Sequence, residues 1–347
     1  MHNIIINLLF YWPLLSIKEE ASILPIKLPQ DSILLSWMTE YKVPALGIGI
    51  IQNGKIGPTK VLGDLMSGKP APSDAIFQVA SLTKPIVEMT VLRLISGGKW
   101  NLDEPLYHCW IDPDVLQDTL HKKLTTRHVL AHQTGFANWR WLHATGKLTF
   151  DFAPGSKTQY SGEGLEYLKK ALEKKFNKPL EELVASTLFI PEGMKDTRFY
   201  WDDQMDESKF ALAHNKEGQP YEIRKYTTAS AADLLMTTVE DYTRFGASVI
   251  SRKKLSRRIW RDMIQLQAPE QKSKFGLGWE VYPGLGQGEY ALLHTGSDPG
   301  VRTIIILLPE SKRGLVIFTN GDNGMQVILK IIRHSLDIGD QLIKMGG

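Results

Sequence analysis

Between Ser81 and Gly97 the chain carries a helix-length stretch that is apolar on most of its faces. Ile86, Val87, Met89, Val91, Leu92, Leu94 and Ile95 recur around the whole circumference. A helix of that kind has no side to offer to water, so it belongs at the centre of the fold with other elements packed around it. Gly97-Gly98 supplies its stop. A chain of 347 residues, as one two-lobed domain or as two ordinary ones, buries enough core to surround such a helix.

The segments on either side predict what surrounds it. Asp31 to Tyr41 has helical spacing, with Ile33, Leu34, Trp37 and Met38 on one face. Ala45–Ile51 and Ile56–Leu62 read as strands joined by Asn53-Gly54, two residues that tolerate positive φ and mark a hairpin. Helical patterns follow at Thr126–Gln133, Gly162–Phe176, Leu180–Thr187 and Thr238–Ile250. Strand-like runs return at Gly278–Tyr282, Tyr290–His294, Arg302–Leu308 and Gly314–Thr319, and Met325–Leu336 closes with a helix. Strands, then helices, then strands and a helix imply an α/β (α+β) fold. Its antiparallel sheet is built from both ends of the chain, about 30–75 and 270–345, and flanked by helices, with a helical lobe inserted between.

Several function classes find no support. Net charge is +3, and the one dense basic stretch, Arg252-Lys253-Lys254 with Arg257-Arg258, reads as the solvated face of a helix; no nucleic-acid partner is expected. Cys109 is the single cysteine, so there is no intrachain disulfide or thiolate zinc site, and a buried structural thiol is expected there. Gly63 to Lys69 approximates a phosphate-binding loop, but Pro70 stands where the magnesium-binding hydroxyl would be. No metal and no cofactor is implied. Ile4–Leu15 is apolar but shorter than the ~20 residues that a bilayer-spanning helix needs. Residues 1–25 read either as a signal peptide or as a buried or interfacial segment, with 26–347 as the catalytic domain. Export to the periplasm or medium is expected in the first case and a cytoplasmic protein in the second.

The chemistry gathers at the start of the central helix. In Ser81-Leu82-Thr83-Lys84 the hydroxyl and the amine are three residues apart and share a face one turn apart. A serine needs a base within reach, and a desolvated lysine can serve. Tyr160-Ser161-Gly162 follows Pro154-Gly155 and opens a helix, which lets the phenol enter a cleft as acid or base. His294-Thr295-Gly296-Ser297 lies at the end of a strand, whose edge offers backbone N–H groups to a substrate and an oxyanion. Gly296 permits close approach. Trp139, Trp141, Trp201 and Tyr242 are candidates to line a cleft or to pack in the core.

These three motifs, in this order, resemble those of the class C β-lactamase-like serine hydrolases, among them β-lactamases, D-alanyl-D-alanine carboxypeptidases, D-aminopeptidases and esterases. The likeness runs from about Asp31 to Ile343 and includes His128–Phe136, Pro191–Thr197 and Ala231–Leu235. It implies the β-lactamase/DD-peptidase-like fold. It also implies Ser81 as acylated nucleophile, Lys84 as its base, Tyr160 as proton shuttle and His294 in place of the lysine of a lysine-threonine-glycine motif. The oxyanion would be held by the N–H groups of Ser81 and Ser297, beside Thr295 and Gly296. Gly162 and His294 replace the asparagine and lysine of β-lactamases. The expected substrate is therefore a small ester, amide or peptide, in an esterase-like or D-peptidase-like reaction. The alternatives are a true β-lactamase or penicillin-binding carboxypeptidase, and a non-catalytic binding or scaffold protein.

Overall fold

The computed structural model describes residues 24–66, 68–267 and 274–346; the apolar run Ile4–Leu15 lies outside them. Helix α1 (Asp31–Tyr41) leads into strands β1 (Ala45–Gln52), β2 (Lys55–Met66), β3 (Lys69–Pro70) and β4 (Ile76–Gln78). A helical stretch follows: α2 (Thr83–Ser96), α3 (Thr126–Leu130), α4 (Gly162–Phe176), α5 (Leu180–Val184) and α6 (Ile190–Glu192). Strand β5 (Met236–Thr238), α7 (Val239–Ile250) and α8 (Arg257–Ile264) lead to β6 (Glu280–Leu285), β7 (Glu289–Asp298), β8 (Val301–Leu308) and β9 (Arg313–Thr319). Helices α9 (Gly324–Ser335) and α10 (Gly339–Gly346) complete the described chain.

Seven strands form one antiparallel sheet in the order β3-β2-β1-β9-β8-β7-β6, while β4 and β5 pair separately. The two ends of the chain meet at the centre, where Ile48 of β1 faces Ile317 of β9. The inner strands are apolar at nearly every position because both faces of the sheet are covered. Leu46, Ile48, Ile304, Ile306, Leu315 and Ile317 point to α1, α9 and α10, whereas Ile51, Ile305, Leu307, Val316 and Phe318 join the larger core that contains α2. Helix α2 is buried along almost its whole length, as its all-round apolarity predicts.

Most expected elements are present, with instructive shifts at their ends. The Asn53-Gly54 hairpin forms, with both residues at positive φ (54° and 70°). Strand β7 runs on to Asp298, so His294 sits in mid-strand rather than at its end. Gly278 and Trp279 precede β6 instead of opening it, since the Trp279 indole turns inward to donate to Met89 Sδ at 3.5 Å. Helix α3 stops at Leu130 because His132 adopts φ 55°. The basic stretch is exposed, but not as one helix face. Arg252–Lys254 form a turn with Arg252 and Lys254 at positive φ, and Arg257 and Arg258 open α8. Cys109 is half-buried rather than sealed, with its thiol pushed up by burial.

Helix α7 lies directly on β1. A Cβ at Gly47 would meet Val239 and one at Gly49 would meet the Thr243 hydroxyl. This contact carries Tyr242 to the start of α2, where its hydroxyl donates to the Leu82 carbonyl at 2.7 Å. Gly49→Ala is expected to lower stability by about 1–3 kcal/mol through this overpacking, read as a reduced midpoint at unchanged slope in urea unfolding.

Candidate active site

Ser81 lies in a 3-10 turn, Ala80–Leu82, and α2 begins two residues later at Thr83. The turn is held at both ends. Val79 N–H donates to Leu235 O at 3.0 Å, while the Thr83 hydroxyl donates to Ala80 O at 2.7 Å and accepts from Leu235 N–H at 3.0 Å. Ala80 adopts φ 49° and Leu234 φ 74°, conformations that side-chain-bearing residues rarely take. Local strain is thus retained on both sides of the serine, and the surrounding hydrogen bonds maintain it.

Lys84 is almost wholly buried, yet its Nζ is well partnered. It donates to Ser81 Oγ at 2.9 Å and to the Ala232 carbonyl at 2.7 Å. Burial pulls the amine down to about 8, against the opposing attraction of Asp233, Glu88 and Glu166. The Tyr160 phenol stands beside Ser81, and the lysine amine stands 4.9 Å from the centre of its ring. Burial pushes the phenol's pKa up, with Ser81 opposing, so Tyr160 is held as a neutral hydroxyl. Of the two groups beside the serine, the amine is the one poised to accept a proton.

Tyr160 is positioned from behind by His132. The two rings are 4.4 Å apart, and His132 Nδ1 accepts the Ser161 N–H at 3.2 Å. Burial and the neighbouring Lys84 hold His132 neutral. Ser161 caps α4 by accepting from Gly164 N–H at 3.0 Å, and its hydroxyl donates to Ala137 O. Asn138 accepts from Gly162 N–H through its side chain and from Glu163 N–H through its carbonyl. Arg140 then clamps Glu163, Asp112 and Asp114. Inside this staple the Trp139 ring lies against Gly162, where a Cβ would come within 2.9 Å of it. The missing side chain in Tyr160-Ser161-Gly162 is thus replaced by an indole from another loop.

His294 is buried in β7. Its Nδ1 donates to Thr295 O at 2.8 Å, and its Nε2 has no protein partner. Burial, then Lys84, lowers it to about 3, so the imidazole is neutral at any ordinary pH. Gly296 packs against the turn that carries Ser81: a Cβ there would strike Val79 O and the Thr303 hydroxyl and sit 3.3 Å from Ser81 N. The close approach expected at this glycine is therefore made by the protein's own chain. Strand β6 begins opposite Leu293 and runs back toward Glu289, so Thr295–Asp298 pair only with β8 among the described residues and keep one edge open. Ser297 is exposed on that edge.

The sequence-derived residues Ser81, Lys84 and Tyr160 thus converge, with His294 and Gly296 beside them. The roles of His132, Asn138, Ala232 and Glu88 were not read from the sequence. Glu88 had a signal, as the one acid inside a mostly apolar helix. The backbone carbonyl of Ala232 had none. Of the aromatic candidates, Trp139 borders the site, Trp141 stacks on Trp139 at 4.8 Å and is exposed, and Tyr242 and Trp201 are buried. Among the described residues no cluster of His, Cys, Asp or Glu is placed to hold a metal ion, and no helix is long and apolar enough to cross a membrane.

Comparison with known proteins gives the family and fold of the chain. Esterase EstB of Burkholderia gladioli is 31% identical over 193 residues, 47% of each chain, so the match spans about half of that relative's length. The D-alanyl-D-alanine-carboxypeptidase/endopeptidase AmpH of Escherichia coli K12 is 23% identical, covering 70% of each chain. The crystal structure of the D-alanine carboxypeptidase AmpC from Burkholderia cenocepacia superposes with a TM-score of 0.70 at 20% identity, over 86% of this chain and 96% of that one, and shares its fold. The family profile described as Beta-lactamase matches residues 31–336, and the chain belongs to that family.

Proposed function

We propose that the protein is a serine hydrolase that cleaves small esters or amides through a Ser81 acyl-enzyme. The reading rests above all on the 2.9 Å contact between Lys84 Nζ and Ser81 Oγ, with the amine buried and lowered to about 8. Neutral Lys84 takes the Ser81 proton as Oγ bonds to the substrate carbonyl carbon. The N–H groups of Ser81 and Ser297 receive the oxyanion at the open edge of β7. Tyr160, neutral beside Ser81, relays the proton taken up by Lys84 to the leaving group; when water attacks the ester, the same pair takes up the water's proton and gives one back to Ser81 Oγ.

The substrate class follows from two replacements. The neutral, buried His294 supplies no cation for a carboxylate, and Trp139 fills the space of a polar side chain at Gly162. Both favour an ester or amide without the ring carboxylate of a β-lactam. Such esterase-like chemistry is also the named activity of EstB, whereas the named activity of AmpH makes D-alanyl peptides the first alternative. The apolar run Ile4–Leu15 supports export with removal of roughly the first 25 residues, the length of a signal peptide.

Fluorophosphonate labelling should mark Ser81 and disappear in Ser81→Ala; a folded wild type that takes no label excludes the hydrolase. Because a lowered lysine gains its base form as pH rises, kcat/KM for a p-nitrophenyl ester should climb to a plateau with a midpoint near 8. Lys84→Met should lower it by about 10²–10⁴-fold. In a panel of short-chain esters, D-alanyl peptides and nitrocefin, ester turnover should dominate. Gly162→Asn should cost about 1–3 kcal/mol in urea unfolding by displacing Trp139, without creating nitrocefin turnover.

A further inference from the structure

The basic stretch Arg252-Lys253-Lys254 with Arg257-Arg258 takes no part in the chemistry above, yet the fold gives it company. Three turns are joined in series at one end of the sheet. The Ser251 hydroxyl donates to Gly54 O at 3.1 Å, and Gly54 N–H donates to Lys312 O at 2.8 Å. The turn after α7, the β1–β2 hairpin and the β8–β9 hairpin therefore share one surface. Each brings exposed cations to it: Lys254 with Arg257 and Arg258, then Lys55, then Lys312. Arg252, also exposed, lies over the Trp260 ring at 4.6 Å. Lys253 is held by Glu192 at 2.9 Å, whereas the other six have no ion-pair partner among the described residues.

Two further features mark this end. Lys253 Nζ also reaches Pro191 O at 3.4 Å, next to Ile190, whose side chain is left 76% exposed. Arg313, beside Lys312, donates to Leu24 O at 2.6 Å, so the described chain begins here, with Leu24 itself 58% exposed. In the sequence the apolar run Ile4–Leu15 ends nine residues before Leu24. The serine lies at the far end. Ser256 N–H donates to Ser96 Oγ at 3.2 Å, which ties the basic stretch to the last residue of α2. Ser81 stands before the first turn of that helix, about 20 Å away along its axis.

Against the six unpaired cations this end presents Glu310 as an exposed acid. Six charges against one exceed the +3 of the entire chain, so the remainder of the molecule carries a slightly negative balance. A distribution so one-sided orients the molecule toward a negatively charged surface. Single-stranded nucleic acid would call for exposed rings on which bases stack, and the one aromatic of the basic stretch, Trp260, is buried. Cationic turns with exposed aliphatic side chains suit lipid instead, because headgroup phosphates meet the cations while the aliphatic groups enter the acyl boundary. We propose that this end is a docking face for a bilayer surface rich in anionic phospholipid, on which the protein sits with the Ser81 cleft turned away from the lipid. The cations supply attraction that salt weakens, and Ile190 with Leu24 supplies apolar contact that salt leaves in place. The docking is independent of the reaction at Ser81.

The test is co-sedimentation of the full chain with vesicles of phosphatidylcholine, with and without phosphatidylglycerol. Association should be at least about tenfold tighter on the phosphatidylglycerol vesicles and should fall as NaCl rises. Two double variants reverse charge on different turns: Lys254→Glu with Arg257→Glu, and Lys55→Glu with Lys312→Glu. Each should lose about tenfold or more in affinity for the anionic vesicles while keeping the wild-type circular-dichroism spectrum. If one pair fails to fold, the other decides. Ile190→Ser should weaken binding about threefold at every salt concentration. Binding carried by the apolar run Ile4–Leu15 alone would be equal on the two kinds of vesicle and insensitive to both pairs, and that result overturns the proposal. So does binding of double-stranded DNA as tight as that of the anionic vesicles at equal phosphate concentration, which would make this end a general polyanion face.

Discussion

An amine sealed inside a protein is an expensive object, and the hydrogen bonds around Lys84 are what make it tenable. Its Nζ reaches Ser81 Oγ and the Ala232 carbonyl, so every part of the structure that fixes those two acceptors acts on the amine. The Ala232 carbonyl is presented by a segment whose next turns are strained at Leu234 and tied to Thr83. Helix α2 must be buried for the lysine to be desolvated, and its burial in turn requires Trp279 and α7 on its flanks. The apolar faces of that helix and the lowered basicity of its lysine are consequences of the same packing.

What the sequence made legible was mostly local. The three-residue spacing of Ser81 and Lys84 fixes their contact through helix geometry alone, and Asn53-Gly54 fixes a hairpin through backbone conformation alone. Strands buried on both faces were legible as apolar runs. Features that depend on distant partners were not. The end of α3 depends on His132 taking a left-handed conformation so that its ring can support Tyr160. The length of β7 beyond His294 depends on β8, and the position of Trp279 depends on Met89. The basic stretch gave no periodic signal that could place its turn.

The two departures from the β-lactamase pattern have separate physical origins. At Gly162 the reason is space, since Trp139 already occupies the volume a side chain would need. At His294 it is burial: desolvation, with Lys84 adding to it, holds the imidazole neutral. The wall of the cleft is thereby less polar on one side and uncharged on the other.

Gly296, pressed against the turn that carries Ser81, has a further consequence for how the molecule is made. The serine is synthesised about 200 residues before the strand that completes its surroundings. While the chain emerges from the ribosome, Ser81 and Lys84 have no β7 or β9 to pack against, and the central helix lacks part of its cover. Contacts so distant in sequence form late. A nascent or truncated chain lacking its last strands would carry the reactive motif but not the reactive pocket, so hydrolytic competence should arrive only with the final closure of the sheet.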